Sequence, residues 1–166
     1  MSQPIRILGI DPGLRRTGWG VIAIDGSRLI RIAHGVIAPP TSASLSVRLL
    51  CIFNGISNVI HEHKPDEAAA EEVFMASNAA SALKLGHARA AAILAPARAE
   101  LPVAEYAARL VKKSIVGTGG ADKAQIAAMI EILLPGAKAS GDAADALAVA
   151  ITHAHHRKSQ HIKGAA

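Results

Sequence analysis

"IRILGIDPGLRRTGWGVIAIDGSRLIRIAHGVIAPP", Ile5 to Pro40, decides the fold. Its first run, "IRILGID", is rich in branched apolar residues and breaks at Pro12-Gly13. A second, "GWGVIAID", ends at the turn signal Asp25-Gly26, and a third, "RLIRIAHGVIA", ends in Pro39-Pro40. Proline lacks the N–H that a ladder needs and glycine takes turn backbone readily, so these pairs punctuate strands. Three strands in a row predict an antiparallel meander.

Working outward, the apolar residues Val47, Leu50, Cys51, Ile56 and Ile60 follow helical spacing from about Ser46 to His63, and Pro65 ends that helix. "EAAAEEVFM" (67–75) reads as a buried strand. "NAASALKLGHARAAAILAPARAEL" (78–101) reads as a long helix, which Pro96 is expected to kink or break near its end. "LPVAEYAARLVKKSIVG" begins as a strand and leads into a basic stretch. "GTGGADKAQIAAMIEILL" is a glycine loop followed by a helix, and "SGDAADALAVAITHAHH" (140–156) is the last helix. Strands first and alternating elements afterwards indicate an α/β domain, a central mixed five-stranded sheet flanked by helices. The chain of 166 residues suits one such domain, placed at 1–157, with 158–166 expected to be a disordered tail.

The sequence is 51% apolar yet has only four aromatic residues, Trp19, Phe53, Phe74 and Tyr106, so its core must be aliphatic and alanine-rich. A net charge of +5 favours an anionic partner such as nucleic acid, although it also fits a generally basic surface. Cys51 stands alone, which excludes an internal disulfide and fits a reducing compartment. No run of about 18 apolar residues occurs, and the amino terminus lacks a cationic start followed by an apolar segment. A soluble cytoplasmic protein with no membrane partner is expected.

Two glycine motifs invite a nucleotide. "GWGVIA" (18–23) fits the dinucleotide pattern, but Val21, Ile22 and Ile24 continue a strand where that pattern must open a helix. "GTGGADK" (117–123) lacks the Gly-Lys-Ser/Thr order of a phosphate loop, although its amides and Lys123 suit a nucleic-acid phosphate. His61, His63, His153, His155 and His156 have no cysteine beside them to complete a metal site, so they read as solvated. No Gly-x-Ser-x-Gly elbow supports a serine hydrolase.

The carboxylates carry more. Asp142 and Asp145, three apart on a helix, share one face. Two unit charges ~4 Å apart at an effective dielectric of ~20 repel by about 4 kcal/mol. A helix dipole returns only about 0.3–1 kcal/mol per carboxylate. Helix capping accounts for one of them better than for two. Asp11 ends the first strand, and Glu71 and Glu72 interrupt an apolar strand, where at least one should face a cation because a buried carboxylate without a partner is costly. Strand alternation sends those two to opposite faces without saying which one is used. Oxygen ligands from three separate elements suit Mg²⁺ or Mn²⁺.

In order and spacing, "LGIDPGLRRTGWGVI", "EEVFMASNAASALKLGHARA", "LPVAEYAARLVKKSIVGTGGADKAQ" and "GDAADALAVAITHAH" resemble the signature segments of the bacterial Holliday junction resolvase family RuvC, over residues 7 to 156. The resemblance implies a ribonuclease H-like fold and a cytoplasmic bacterial homodimer. Such an endonuclease resolves four-way DNA junctions during recombination and repair by paired symmetric metal-dependent nicks, beside a branch-migration motor. It makes Asp11, Glu71, Asp142 and Asp145 the catalytic metal ligands, with two ions expected per site, Asp11 bridging them, Glu71 on one and the aspartate pair on the other. It makes Lys112 a catalytic cation and a DNA contact, and it adds Lys123, Asn78, Arg89 and Phe74 to the DNA-binding set, Phe74 stacking on a base at the junction centre. Arg15, Arg16 and Lys113 are weaker positioning candidates. The helix "ASALKLGHARAAAILA" is apolar on more than one side and is expected to lie partly in the dimer interface. The competing readings are an actin-like or sugar-kinase-like ATPase, a ribosomal-RNA-maturing relative of the same fold, and a junction-binding module without catalysis.

Overall fold

The structure, a computed structural model, describes residues 3–72 and 78–163, with side chains as far as Arg157. Strands β1 (Ile5–Asp11), β2 (Thr17–Asp25) and β3 (Arg28–Ile37) form the expected antiparallel meander. On the other side of β1, β4 (Glu67–Glu72) and then β5 (Val103–Ala107) add in parallel, giving the order β3-β2-β1-β4-β5. The helices are α1 (Leu45–His63), α2 (Ala79–Arg98), α3 (Ala108–Val116), α4 (Lys123–Leu133) and α5 (Gly141–Lys163).

Strand alternation sorts the core into two layers. Ile7, Ile22 and Ala69 pack with Val111, Ile126, Leu147 and Ile151, on the side of α3, α4 and α5. Leu8, Ile10, Val21, Ala68 and Ala70 pack with Ile52, Ile56, Ala88 and Ala92, on the side of α1 and α2. Helix α5 lies unusually close to the sheet. A β-carbon on Gly9 would come within 2.1 Å of the Ala146 carbonyl oxygen, and one on Gly20 within 2.6 Å of Leu147. The Gly-x-Gly of "GWG" therefore serves close packing of a helix on a strand, and the facing residues Ala143, Ala146 and Ala150 are small and buried.

Three details differ from the sequence reading. Helix α2 runs through Pro96 to Arg98, with Pro96 buried in its last turns. The proline's missing N–H forfeits one bond, to the Ala92 carbonyl, while the carbonyls of Ala95, Pro96 and Ala97 accept from Ala99, Leu101 and Glu100. The backbone of α5 continues past Arg157, where a tail was expected, as helix to Lys163. His153 is buried instead of solvated.

Candidate active site

Asp11 is the last residue of β1, and Glu71 lies one residue before the end of β4. These strands run parallel with Ile10 opposite Ala70, so both carboxylates emerge one step further on, at the same end of neighbouring strands. Glu71 shares its strand face with Ala69, which packs in the α5-side core, and it is partly buried while Glu72 is exposed. Of the two glutamates, Glu71 is the one that faces Asp11 and Asp145.

The start of α5 delivers the other two, Asp142 in its first turn and Asp145 three residues on. Asp11 pairs with Gly18 across the β1–β2 ladder, and the backbone of Asp142 rests on Gly18. One oxygen each from Asp11, Asp142 and Asp145 lies within 4.8 Å of the others. Burial first, and then the charges of Glu71, Asp145 and Asp142, push the Asp11 carboxyl from 3.8 up to about 8, with Lys123 opposing. Burial and Asp145 likewise raise Glu71, against Lys112 and Lys123. Without added positive charge the Asp11 carboxyl keeps its proton below about pH 8. A hard divalent cation supplies that charge at short range to an all-oxygen set, so the donors fit a divalent metal.

Two side chains already partner the aspartates. Arg16 Nε donates to Asp142 Oδ2 at 2.7 Å, and Lys123 Nζ lies 3.4 Å from Asp145 Oδ2. Lys123 is the first residue of α4, held there by a reciprocal capping box between Asp122 and Gln125. Gly117, at φ +88°, ends α3 and turns the chain toward it. Lys112, on α3, is exposed and lowers the Glu71 carboxyl through its charge.

The remaining predicted contacts are placed differently. Asn78 caps α2, its Oδ1 accepting from the Ala80 and Ser81 amides. Arg89 Nη2 pairs with the exposed Glu105 carboxylate, at 2.7 Å from Oε1. Phe74 lies outside the described residues.

Sequence reasoning missed a second polar cluster, at the opposite end of β4. Glu67 Oε2 accepts from His153 Nε2 at 2.7 Å and from Arg157 Nε at 3.1 Å, and His153 Nδ1 meets the Tyr106 hydroxyl at 2.8 Å. Ser114 Oγ and His156 Nε2, 3.0 Å apart, extend the polar contacts to α3. The available signal was Glu67 on the same strand face as Glu71, with His153 and Arg157 four apart on one helix.

The family model described as crossover junction endodeoxyribonuclease RuvC matches residues 7–153. This chain belongs to the RuvC family. A RuvC of Maricaulis maris is 70% identical over the whole of both chains. One of Caulobacter sp. strain K31 is 66% identical over 93% of this chain and 92% of its own. Among solved structures, Thermus thermophilus RuvC in complex with Holliday junction substrate aligns with a TM-score of 0.87 at 31% identity, covering 94% of this chain and 96% of that one. A second structure of T. thermophilus RuvC gives 0.84 at 30% identity, covering 94% of this chain and 97% of that one. The ribonuclease H-like fold of RuvC is thus the fold of this chain, and its carboxylates stand on the elements that the resemblance assigned to them. No helix among the described residues is long and apolar enough to cross a membrane.

Proposed function

We propose that this chain is a crossover junction endodeoxyribonuclease that resolves four-way DNA junctions by paired, symmetric, metal-dependent nicks in recombination and repair. The observation that carries the reading is the convergence of Asp11, Asp142 and Asp145 beside Glu71, flanked by Lys112 and Lys123, in a chain of the RuvC family. These four carboxylates would hold Mg²⁺, with Mn²⁺ as a substitute, at two ions per site. Bound there, the metal supplies positive charge to the phosphoryl oxygens and acidifies the attacking water.

The side chains set up the rest. Lys112 places a cation beside Glu71, where charge builds on the pentacoordinate phosphate. Lys123, 84% exposed at the head of α4, reaches from Asp145 toward a backbone phosphate. Phe74 stacks on a base at the junction centre, a contact worth about 1–3 kcal/mol. Asn78 and Arg89 offer the strand the donors that their internal bonds leave free.

Two matched nicks need two sites, and a four-way junction has two-fold symmetry. An isologous homodimer meets both needs with one patch. Leu83, Gly86, Ala90, Leu94 and Ala97 recur at helical spacing and are all exposed, giving α2 an apolar outer face suited to a second copy.

The test uses a mobile synthetic junction with each strand labelled in turn. Nicks at symmetry-related positions on opposing strands, dependent on Mg²⁺ and absent from linear duplex, are expected. Equal cutting of linear duplex, or none of the junction, contradicts the reading.

A further inference from the structure

Beside the carboxylate centre lies an open pocket of about 520 Å³ whose wall includes Arg15, Arg16, Arg48, Ser81 and Lys84, with Asp142 on its shared edge. Three elements build it: the β1–β2 turn, the first turn of α1 and the start of α2. Four cations face a single carboxylate there, and like charges gathered round one cavity repel unless an anion enters.

Their hydrogen bonds leave donors to spare. Arg48 Nη2 donates to the Leu14 carbonyl at 2.9 Å, while its buried Nε has no partner among the described residues. An unpaired buried donor is unfavourable, so this guanidinium is not fully satisfied by its present contacts. Arg16 spends only Nε on Asp142. Arg15 and Lys84 are exposed and form no ion pair among the described residues.

We propose that this pocket seats a backbone phosphate of the DNA strand, next to the phosphodiester that is cut and distinct from it. This rests on the nuclease reading above. Arginine forks match the non-bridging oxygens of a phosphodiester, and lysine adds a point charge. Because Asp142 and Arg16 belong to both the pocket and the carboxylate centre, the seated phosphate fixes the register of the strand. It thereby selects which neighbouring phosphodiester reaches the carboxylates.

The test is junction binding by the full chain in chelator, read as salt dependence and as ethylation interference. The wild type is compared with Arg15→Ala/Lys84→Ala and with a control pair on β3, Arg28→Ala/Arg31→Ala. Each lost phosphate contact lowers the salt slope by about 1. The first double variant is expected to lose about two from the slope, together with the interference signal at one phosphate flanking each nick. The control pair should keep that local signal. An unchanged slope and footprint overturns the pocket, and so does an equal loss of the local signal in the control pair. Inorganic phosphate binding that needs Arg15 and Lys84, with the variant's junction footprint intact, makes this a free-anion site and overturns the DNA assignment. A wild type with no junction footprint fails the nuclease reading first and this one with it.

Discussion

A β-carbon on Gly18 would stand 1.9 Å from the carbonyl oxygen of Asp142, so strand β2 and helix α5 meet backbone to backbone beside the carboxylate cluster. That contact seats the first turn of α5, with Asp142, over the end of β1, and Asp145 follows three residues on. Gly18→Ala should push the turn away. Overpacking costs about 1–3 kcal/mol, and a displacement near 1 Å costs roughly 10²-fold in rate. Thermal unfolding and single-turnover nicking check both, while junction affinity should stay within a few-fold because cations supply it.

Asp11 gives the metal-free protein a signed pH dependence. Its folded-state carboxyl titrates at about 8 against an unfolded value near 3.8, so the folded state holds an extra proton between those limits. Stability from this group therefore falls as pH rises through that window. In chelator, Asp11→Asn should unfold close to wild type at pH 4 and become the more stable of the two above pH 8. A melting-temperature difference that does not grow with pH rules out the buried acidic cluster.

Glu67 works in the opposite direction. Burial disfavours its charge, but the hydrogen bonds from Arg157 and His153 outweigh this and hold its carboxyl below the ordinary 4.5. Its contribution is complete above the unfolded value and disappears as pH falls through the folded one. Glu67→Gln, which leaves the half-buried Arg157 guanidinium without its counter-charge, should lose about 3 kcal/mol at pH 7 and much less below pH 4. Denaturant titrations at the two pH values measure it.

Lys112 lowers the Glu71 carboxyl by its charge. Lys112→Ala should slow nicking by roughly 10²-fold. It should also move the acidic limb of the pH–rate profile upward, since Glu71 then ionises at higher pH, and Lys112→Arg should restore part of both. A profile that keeps its position separates Lys112 from Glu71.

The strands and the carboxylate cluster were legible because they rest on local chemistry. Pro12-Gly13 and Asp25-Gly26 mark turns whatever surrounds them, and Asp142 and Asp145 share a helix face by spacing alone. What stayed hidden depends on packing between distant segments. Gly18 and Gly20 resembled a nucleotide motif because their purpose, room for α5, lies more than 120 residues away. His153 looked solvated in a polar tail because its partners, Glu67 and Tyr106, come from two strands. Pro96 suggested a break, yet it removes a single N–H donor, and its burial in the packed face of α2 carries the helix on to Arg98.

The most direct measurement takes wild type and Asp145→Asn through two assays on the same junction: affinity in chelator and nicking rate in Mg²⁺. Affinity should be unchanged or tighter, since a negative charge is removed from beside the phosphates. Nicking should drop by roughly 10²-fold or more, as expected when a group that organises transition-state charge is lost. Nicking at the wild-type rate would contradict the four-carboxylate centre.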